Sequence, residues 1–364
     1  MTVNEIAKVL EELAPLAHAE DFDNVGLLVG DPNKKVEGIL VTLDTLENVV
    51  DEAIEKKCDL IVSFHPIIFK GLKRLTGSNY VERVVLKAIA NNIAIYSMHT
   101  ALDNSKMGVN AKICEVLGLK NPEILIPRAK SIKKLITYAP MADAEQIKLA
   151  LFKAGAGDMG KYSHCSYSLE GVGSFKAENG ANPTVGKVGE VHFEKETQIN
   201  LIYSFEKEKA ILKALFEAHP YEEVAYEVLT LENTNQDLGM GMLGTLDNEM
   251  DEKEFLLLVK EQMGASVVRH SELLGKKVNK IAVLGGSGAF AIAAAKKAGA
   301  DILVTADLKY HDFYQAENQL VVADIGHFET EQFTKDLLVD YLTKKIPNFA
   351  VSLSESITNP IKYL

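Results

Sequence analysis

Ile39-Leu40-Val41-Thr42-Leu43-Asp44-Thr45 and, after an intervening helical stretch, Leu60-Ile61-Val62-Ser63-Phe64-His65-Pro66 decide how this chain folds. Neither run alternates apolar with polar residues, so each reads as a strand covered on both faces rather than one with a wet side. Leu46 to Lys57 lies between them at helical period. A third such run, Ile93 to Ser97, follows a helical Tyr80 to Asn91 and precedes another helix from around Val109 to Leu117. Strands without polar alternation, separated by helices, imply a parallel sheet inside an α/β layer structure. Ligands in such sheets bind outside the carboxyl ends of the strands. Those ends carry Asp44-Thr45, Phe64-His65-Pro66 and Met98-His99-Thr100-Ala101-Leu102-Asp103-Asn104, so three consecutive strands deliver metal-capable or acid–base side chains to one edge.

Toward the N-terminus, Thr2 and Glu5 have capping-box spacing ahead of Ile6, Val9, Leu10 and Leu13, which predicts an opening amphipathic helix. A polar turn at Asp21-Phe22-Asp23-Asn24 then runs into a short apolar strand. Toward the C-terminus the texture changes near Ile126, where Pro127, Arg128 and Lys130 read as a linker. Beyond it, strands at Lys134 to Ala139, Ile199 to Ser204 and Val224 to Leu231 bracket helices at Ala142 to Lys153 and Glu206 to Ala218. A Gly-rich, turn-heavy section from Gly155 to Gly189 lies within that segment. This pattern predicts a small α+β sandwich of split-βαβ type.

After Gly239-Met240-Gly241-Met242-Leu243-Gly244 the βα texture resumes. Helices are expected at Glu252 to Met263, Ala289 to Lys297 and His311 to Asn318, with strands at Lys280 to Leu284, Asp301 to Thr305 and Leu320 to Ile325. A last long helix is expected from Glu331 to Lys344. The expected division is therefore residues 1–126, an insertion over 127–237, and 238–364, the outer segments being halves of one interrupted domain.

The chain has 364 residues, 47% of them hydrophobic and 25% charged, with a formal net charge of −12. That charge argues against a nucleic-acid-coating surface, which needs clustered Lys and Arg. No signal-peptide pattern and no bilayer-length apolar run is present, so a cytoplasmic protein is expected. Cys58, Cys114 and Cys165 are odd in number and widely spaced, giving neither a disulfide framework nor a CxxC clip.

The side chains at strand ends make one set: His65, His99 and Asp103 from the first outer segment, Asp307, His311, His327 and Glu331 from the second. Imidazole mixed with carboxylate suits a divalent ion, and a bridging carboxylate allows two. His327 and Glu331, four positions apart where a strand gives way to a helix, can face one point. Gly285-Gly286-Ser287-Gly288 invites a phosphate-cradle reading but fits neither the dinucleotide fingerprint nor the P-loop, so its glycines equally suit close approach of strand and helix. Ser163-His164-Cys165 cannot relay protons as neighbours on an extended strand.

The ordered motifs Asp23-Asn24-Val25-Gly26-Leu27, Phe64-His65-Pro66-Ile67-Ile68-Phe69, His99-Thr100-Ala101-Leu102-Asp103, Thr305-Ala306-Asp307 and Gly326-His327-Phe328-Glu329-Thr330-Glu331 resemble those of the NGG-interacting-factor-like family, the GTP cyclohydrolase type 2 homologues. The middle segment, with Gly160-Lys161-Tyr162-Ser163, Gly180-Ala181-Asn182-Pro183 and His219-Pro220-Tyr221-Glu222-Glu223, is similar to the PII/CutA-like insertion of the longer bacterial members. The resemblance implies a two-lobed α/β domain with parallel or mixed sheets, interrupted by an inserted α+β ferredoxin-like (PII/CutA-like) domain. It also implies a ring-shaped homohexamer and a dinuclear metal centre between the lobes. Carried over by position, His65 and Asp103 would bind one ion, His327 the other, and Glu331 both, with zinc, iron or manganese as the metal and up to two ions per chain. The family usually has a second histidine where this chain has Phe64, so one tightly and one loosely held ion are expected. A metal-dependent hydrolase acting on a nucleotide such as GTP follows, with Glu331, His99 and His311 as catalytic residues. The alternative is a regulatory or scaffold protein that binds metal and a small molecule without catalysis.

Overall fold

The structure is a computed structural model describing residues 1–364. The chain forms two compact units, one made of Met1–Pro127 with Gln236–Leu364, the other of Arg128–Asn235.

The first unit holds two mixed sheets. One has the order Gly26–Val29, Ala94–Ser97, Leu60–Ser63, Gly38–Thr42, Ala350–Leu353, parallel throughout except for the first, antiparallel strand. The other has the order Arg269–His270, Val321–Asp324, Ile302–Ala306, Lys277–Ser287, Asn235–Asp251, Lys120–Arg128. Its three inner strands from 277 to 324 are parallel. The reason for the missing alternation is visible in the packing. Ile39, Val41 and Val62 join Val283, Val304 and Ala323 in one core between the sheets. Leu40 and Ile61 point the other way, onto helices Glu47–Glu55 and Tyr80–Ala90. Ala282, Leu303 and Val322 do the same on the second sheet. Both pleat faces are dry, so both must be apolar. The opening helix, Val3–Leu13, has the expected cap: Thr2 N–H donates to Glu5 Oε2 at 2.8 Å and Glu5 N–H to Thr2 Oγ1 at 3.2 Å.

The second unit is a four-stranded sheet in the order Tyr167–Lys176, Val191–Ser204, Ile132–Pro140, Tyr226–Leu231, with every neighbour antiparallel. Helices Ala144–Lys153 and Glu208–Ala218 contribute Ile147, Leu151, Ile211 and Leu215 to a core with Leu135, Ile199 and Leu201. This is the β-α-β-β-α-β order of a split-βαβ sandwich.

Several elements depart from the sequence expectation, each for an identifiable reason. The linker read at Pro127 is the end of an edge strand, Lys120–Arg128, where prolines are tolerated because no neighbour needs their missing N–H. The Gly-rich stretches contain the strands Tyr167–Lys176 and Asn235–Asp251. Gly239 answers to crowding rather than to a turn: a Cβ there would collide with the Ile126 carbonyl oxygen. The last helix divides into His327–Glu331 and Thr334–Lys345. After it, Ala350–Leu353 returns to the first sheet beside Gly38–Thr42, so the C-terminal segment completes the sheet built by the N-terminal one. No helix is long and apolar enough to cross a membrane.

Glu52 fastens that return. Its carboxylate pairs with Lys56 at 2.8 Å and accepts the N–H groups of Glu355 (2.8 Å) and Ser356 (3.1 Å) and the Ser354 hydroxyl (2.7 Å). Burial alone would push its pKa up, but Lys56 and these donors bring it down to about 2. A carboxylate depressed in the folded state stabilises fully above its unfolded pKa, and the benefit disappears as pH falls through the folded value. Glu52→Gln is therefore expected to cost about 2 kcal/mol in urea unfolding at pH 7. The gap between variant and parent should narrow below about pH 4 and close near pH 2.

Candidate metal centre

Each histidine of the site is placed by a strand end. His65 follows Leu60–Ser63, and its N–H donates to the Leu43 carbonyl at 2.9 Å. His99 opens the short helix His99–Asp103 with φ +23, its N–H donating to the Phe64 carbonyl at 2.9 Å. His327 opens His327–Glu331 just after Gly326, whose φ of +101 turns the chain out of the strand Val321–Asp324. Within that helix His327 and Glu331 sit one turn apart on one face.

The geometry centres on Glu331. Its residue is 3% exposed, and its Oε2 lies 3.1 Å from His65 Nε2 and 3.1 Å from His327 Nε2. These ligand atoms all fall within 4.8 Å of one another. Although close, neither imidazole directs a hydrogen bond along the line to Oε2, which is buried without a hydrogen-bond partner. Asp103 Oδ1 is a second buried oxygen in the same condition.

Behind each ring stands a carboxylate. His65 Nδ1 donates to Asp44 Oδ1 at 2.8 Å, His327 Nδ1 to Asp307 Oδ2 at 2.7 Å, and His99 Nδ1 to Asp23 Oδ1 at 2.7 Å. A proton held on Nδ1 leaves Nε2 with its lone pair facing the site, the arrangement in which an imidazole binds metal. The charges agree. Burial drives the Glu331 pKa up but the two imidazoles hold it down; Asp44 and Glu331 raise His65 against burial, and Glu331, with Asp307, raises His327. Burial and then the nearby Glu331 push Asp103 well above the ordinary carboxylate range. Without a metal the two rings carry the positive charge that these carboxylates demand; a bound cation would take that charge over and free both Nε2 lone pairs, and a two-histidine, one-carboxylate donor set suits zinc, iron or manganese. The buried, unpartnered oxygens of Glu331 and Asp103 fit the same group.

Glycine makes room for this carboxylate. Gly286 has φ +69, and a Cβ there would stand 2.5 Å from Glu331 Oε1. Its N–H donates to Thr330 Oγ1 and that of Gly285 to Asn110 Oδ1, both at 2.9 Å. The Gly285-Gly286-Ser287-Gly288 loop is thus a close-approach surface for the metal helix, and the phosphate-cradle reading falls because these two amides are already used.

Among the other residues singled out in the sequence, His99 lies beside the triad, its ring centroid 5.3 Å from that of His65. His311 is on an exposed 3₁₀ turn, Tyr310–Ala316, with its ring against Tyr310 and Tyr314 rather than in the converging group. Phe64 is fully buried in the core, its ring 4.9 Å from His65 and 5.6 Å from His99. Ser163 and His164 occupy an exposed turn rather than a strand and touch at 3.1 Å. Asp44 and Asp23 were legible as polar residues near strand ends, yet nothing in the sequence alone marks them as partners of particular histidines. Outward from His99 a row of rings reaches the surface: Phe69 at 6.2 Å and then Phe22 at 6.4 Å, 45% and 67% exposed.

A family model described as Duf34/NIF3 (NGG1p interacting factor 3) matches residues 1–360. The chain is 41% identical over 366 residues to the GTP cyclohydrolase 1 type 2 homolog of Bacillus subtilis, covering 99% of this chain and 98% of that protein. It is 36% identical to the protein of the same name from Halalkalibacterium halodurans, with 99% and 98% covered. The solved structure of a Bacillus cereus protein related to NIF3 superposes with a TM-score of 0.86 at 37% identity, covering 100% of this chain and 99% of that one.

Two substitutions test how the site is held. Asp44→Ala removes the acceptor that fixes the His65 tautomer and is expected to weaken zinc binding roughly 10- to 100-fold in competition with a chromophoric chelator. Gly286→Ala, which strains a positive φ and displaces Glu331, is expected to weaken binding by at least about tenfold as well as to lower stability by about 1 kcal/mol or more.

Proposed function

The chain belongs to the Duf34/NIF3 family, and on that premise we propose that it is a metal-dependent hydrolase acting in the cytoplasm on a nucleotide or related heterocycle. The observation that carries this reading is the convergence of His65 Nε2, His327 Nε2 and Glu331 Oε2, with a carboxylate fixing each ring from behind. The relatives' name, GTP cyclohydrolase 1 type 2 homolog, supports a purine nucleotide as substrate. The exposed Phe69 beside His99, and Phe22 beyond it, supply flat apolar faces on which such a ring can stack.

A divalent ion, when bound, supplies Lewis-acid polarisation and a water nucleophile activated near neutral pH. The protein does the rest. Asp44 and Asp307 keep the two Nε2 atoms aimed inward. His99, held by Asp23 through Nδ1, has Nε2 free to carry a proton between substrate and solvent. His65, His327 and Glu331 would together hold one ion; a second, toward the buried Asp103 oxygen, would be a ligand short because Phe64 offers none. The protomers assemble as a hexameric ring, and the middle unit is a PII/CutA-like module, a reading supported by its strand order. The second reading, a binding or regulatory protein, is favoured by Phe64, whose buried ring offers no ligand to a second ion.

The test is turnover of GTP, other nucleotides and phosphoesters by zinc-, iron- or manganese-loaded protein. His65→Ala is expected to abolish it, and Phe69→Ala to raise KM about tenfold with metal content unchanged. Loaded protein that turns over none of them but is thermally stabilised by one would favour the binder. After exhaustive dialysis, elemental analysis is expected to find one ion per chain; two would contradict the asymmetric centre.

A further inference from the structure

The two motifs of the middle unit that the metal chemistry does not use, Gly180-Ala181-Asn182-Pro183 and His219-Pro220-Tyr221-Glu222-Glu223, meet across a single cavity of about 500 Å³. The loop after strand Tyr167–Lys176 is fastened over it: Asn182 N–H donates to Glu222 Oε2 at 2.9 Å, and Thr184 Oγ1 to the Pro220 carbonyl at 2.8 Å. Its walls include the rings of Tyr138, Phe175 and Tyr221, the last two with centroids 6.5 Å apart. Across the sheet lies Glu196, whose Oε1 accepts the Tyr221 hydroxyl at 3.0 Å. Gly173 leaves the space opposite it that this carboxylate fills.

The charge of the lining is one-sided. It holds four carboxylates, Glu178, Glu196, Glu222 and Glu223, against one ammonium, Lys176, so three negative charges are in excess. Lys176 is itself paired with Glu178 at 3.6 Å. An anionic ligand is therefore repelled. A bare divalent ion is poorly served too, since the convergence of three ligand atoms occurs at the metal centre and not here. What remains is a ligand that is cationic and also carries apolar length for the aromatic walls.

We propose that this cavity binds an organic polycation of the polyamine class. Its ammonium groups pair with Glu196 inside and with Glu222 and Glu223 at the rim, and its methylene segments lie on Tyr138, Phe175 and Tyr221, where ring faces add cation–π attraction. The site is formed within one unit and is separate from the metal centre, so it stands whether or not the chain is a hydrolase.

Calorimetric titration of the full-length protein with spermidine tests the assignment. One saturable event per chain is expected, weakened by added salt, with putrescine, one charge poorer, binding several-fold more weakly. Glu223→Gln, at an exposed position that folding does not depend on, is expected to weaken spermidine about fivefold, and Glu196→Gln about tenfold or more. Absence of saturable binding, equal affinity in Glu223→Gln and a folded Glu196→Gln, or displacement of spermidine by equimolar magnesium would overturn the proposal.

Discussion

The structure turns on one buried carboxylate. Glu331 is nearly inaccessible, and an ionised group in that position costs several kcal/mol unless charge is returned to it. Two imidazoles return it, one from each of the two sheets of the first unit, and each is itself anchored by an aspartate at its own strand edge. The requirement propagates outward. Gly286 must be glycine to leave room, Gly326 must take a positive φ to start the helix, and the strand ends at Ser63 and Asp324 must lie at the same edge. A cation shared by these atoms satisfies all of them together.

How far this was readable in the sequence depends on the physics at each position. Ile39 to Leu43 and Leu60 to Ser63 declare themselves because a strand dry on both faces has no freedom to be polar. His65 and His327 stand out because a histidine directly after such a strand has few packing reasons to be there. The strands Tyr167–Lys176 and Asn235–Asp251 stay hidden behind glycines, since local propensity treats glycine as a breaker while the fold uses it for close approach. The returning strand Ala350–Leu353 is hidden for another reason: its partner, Gly38–Thr42, is some three hundred residues away, and no local pattern encodes that pairing. The aspartates behind the histidines belong to this second class. Asp44 stands 21 positions before His65, and its role exists only once the two strands that carry them have paired.

Phe64 floors the site: its buried ring packs in the core against His65 and offers the centre no ligand. The middle unit adds a second chemistry to the chain: an acidic, ring-lined cavity built from motifs that contribute nothing to the metal site.

The central claim is that His65, His327 and Glu331 bind one divalent ion together. Anomalous diffraction from crystals of the zinc-loaded protein, recorded on both sides of the zinc edge, measures this directly. The account predicts a peak about 2.0–2.2 Å from His65 Nε2, His327 Nε2 and a Glu331 carboxylate oxygen. A peak elsewhere, or no peak here with Glu331 still held between the two imidazoles, would contradict it.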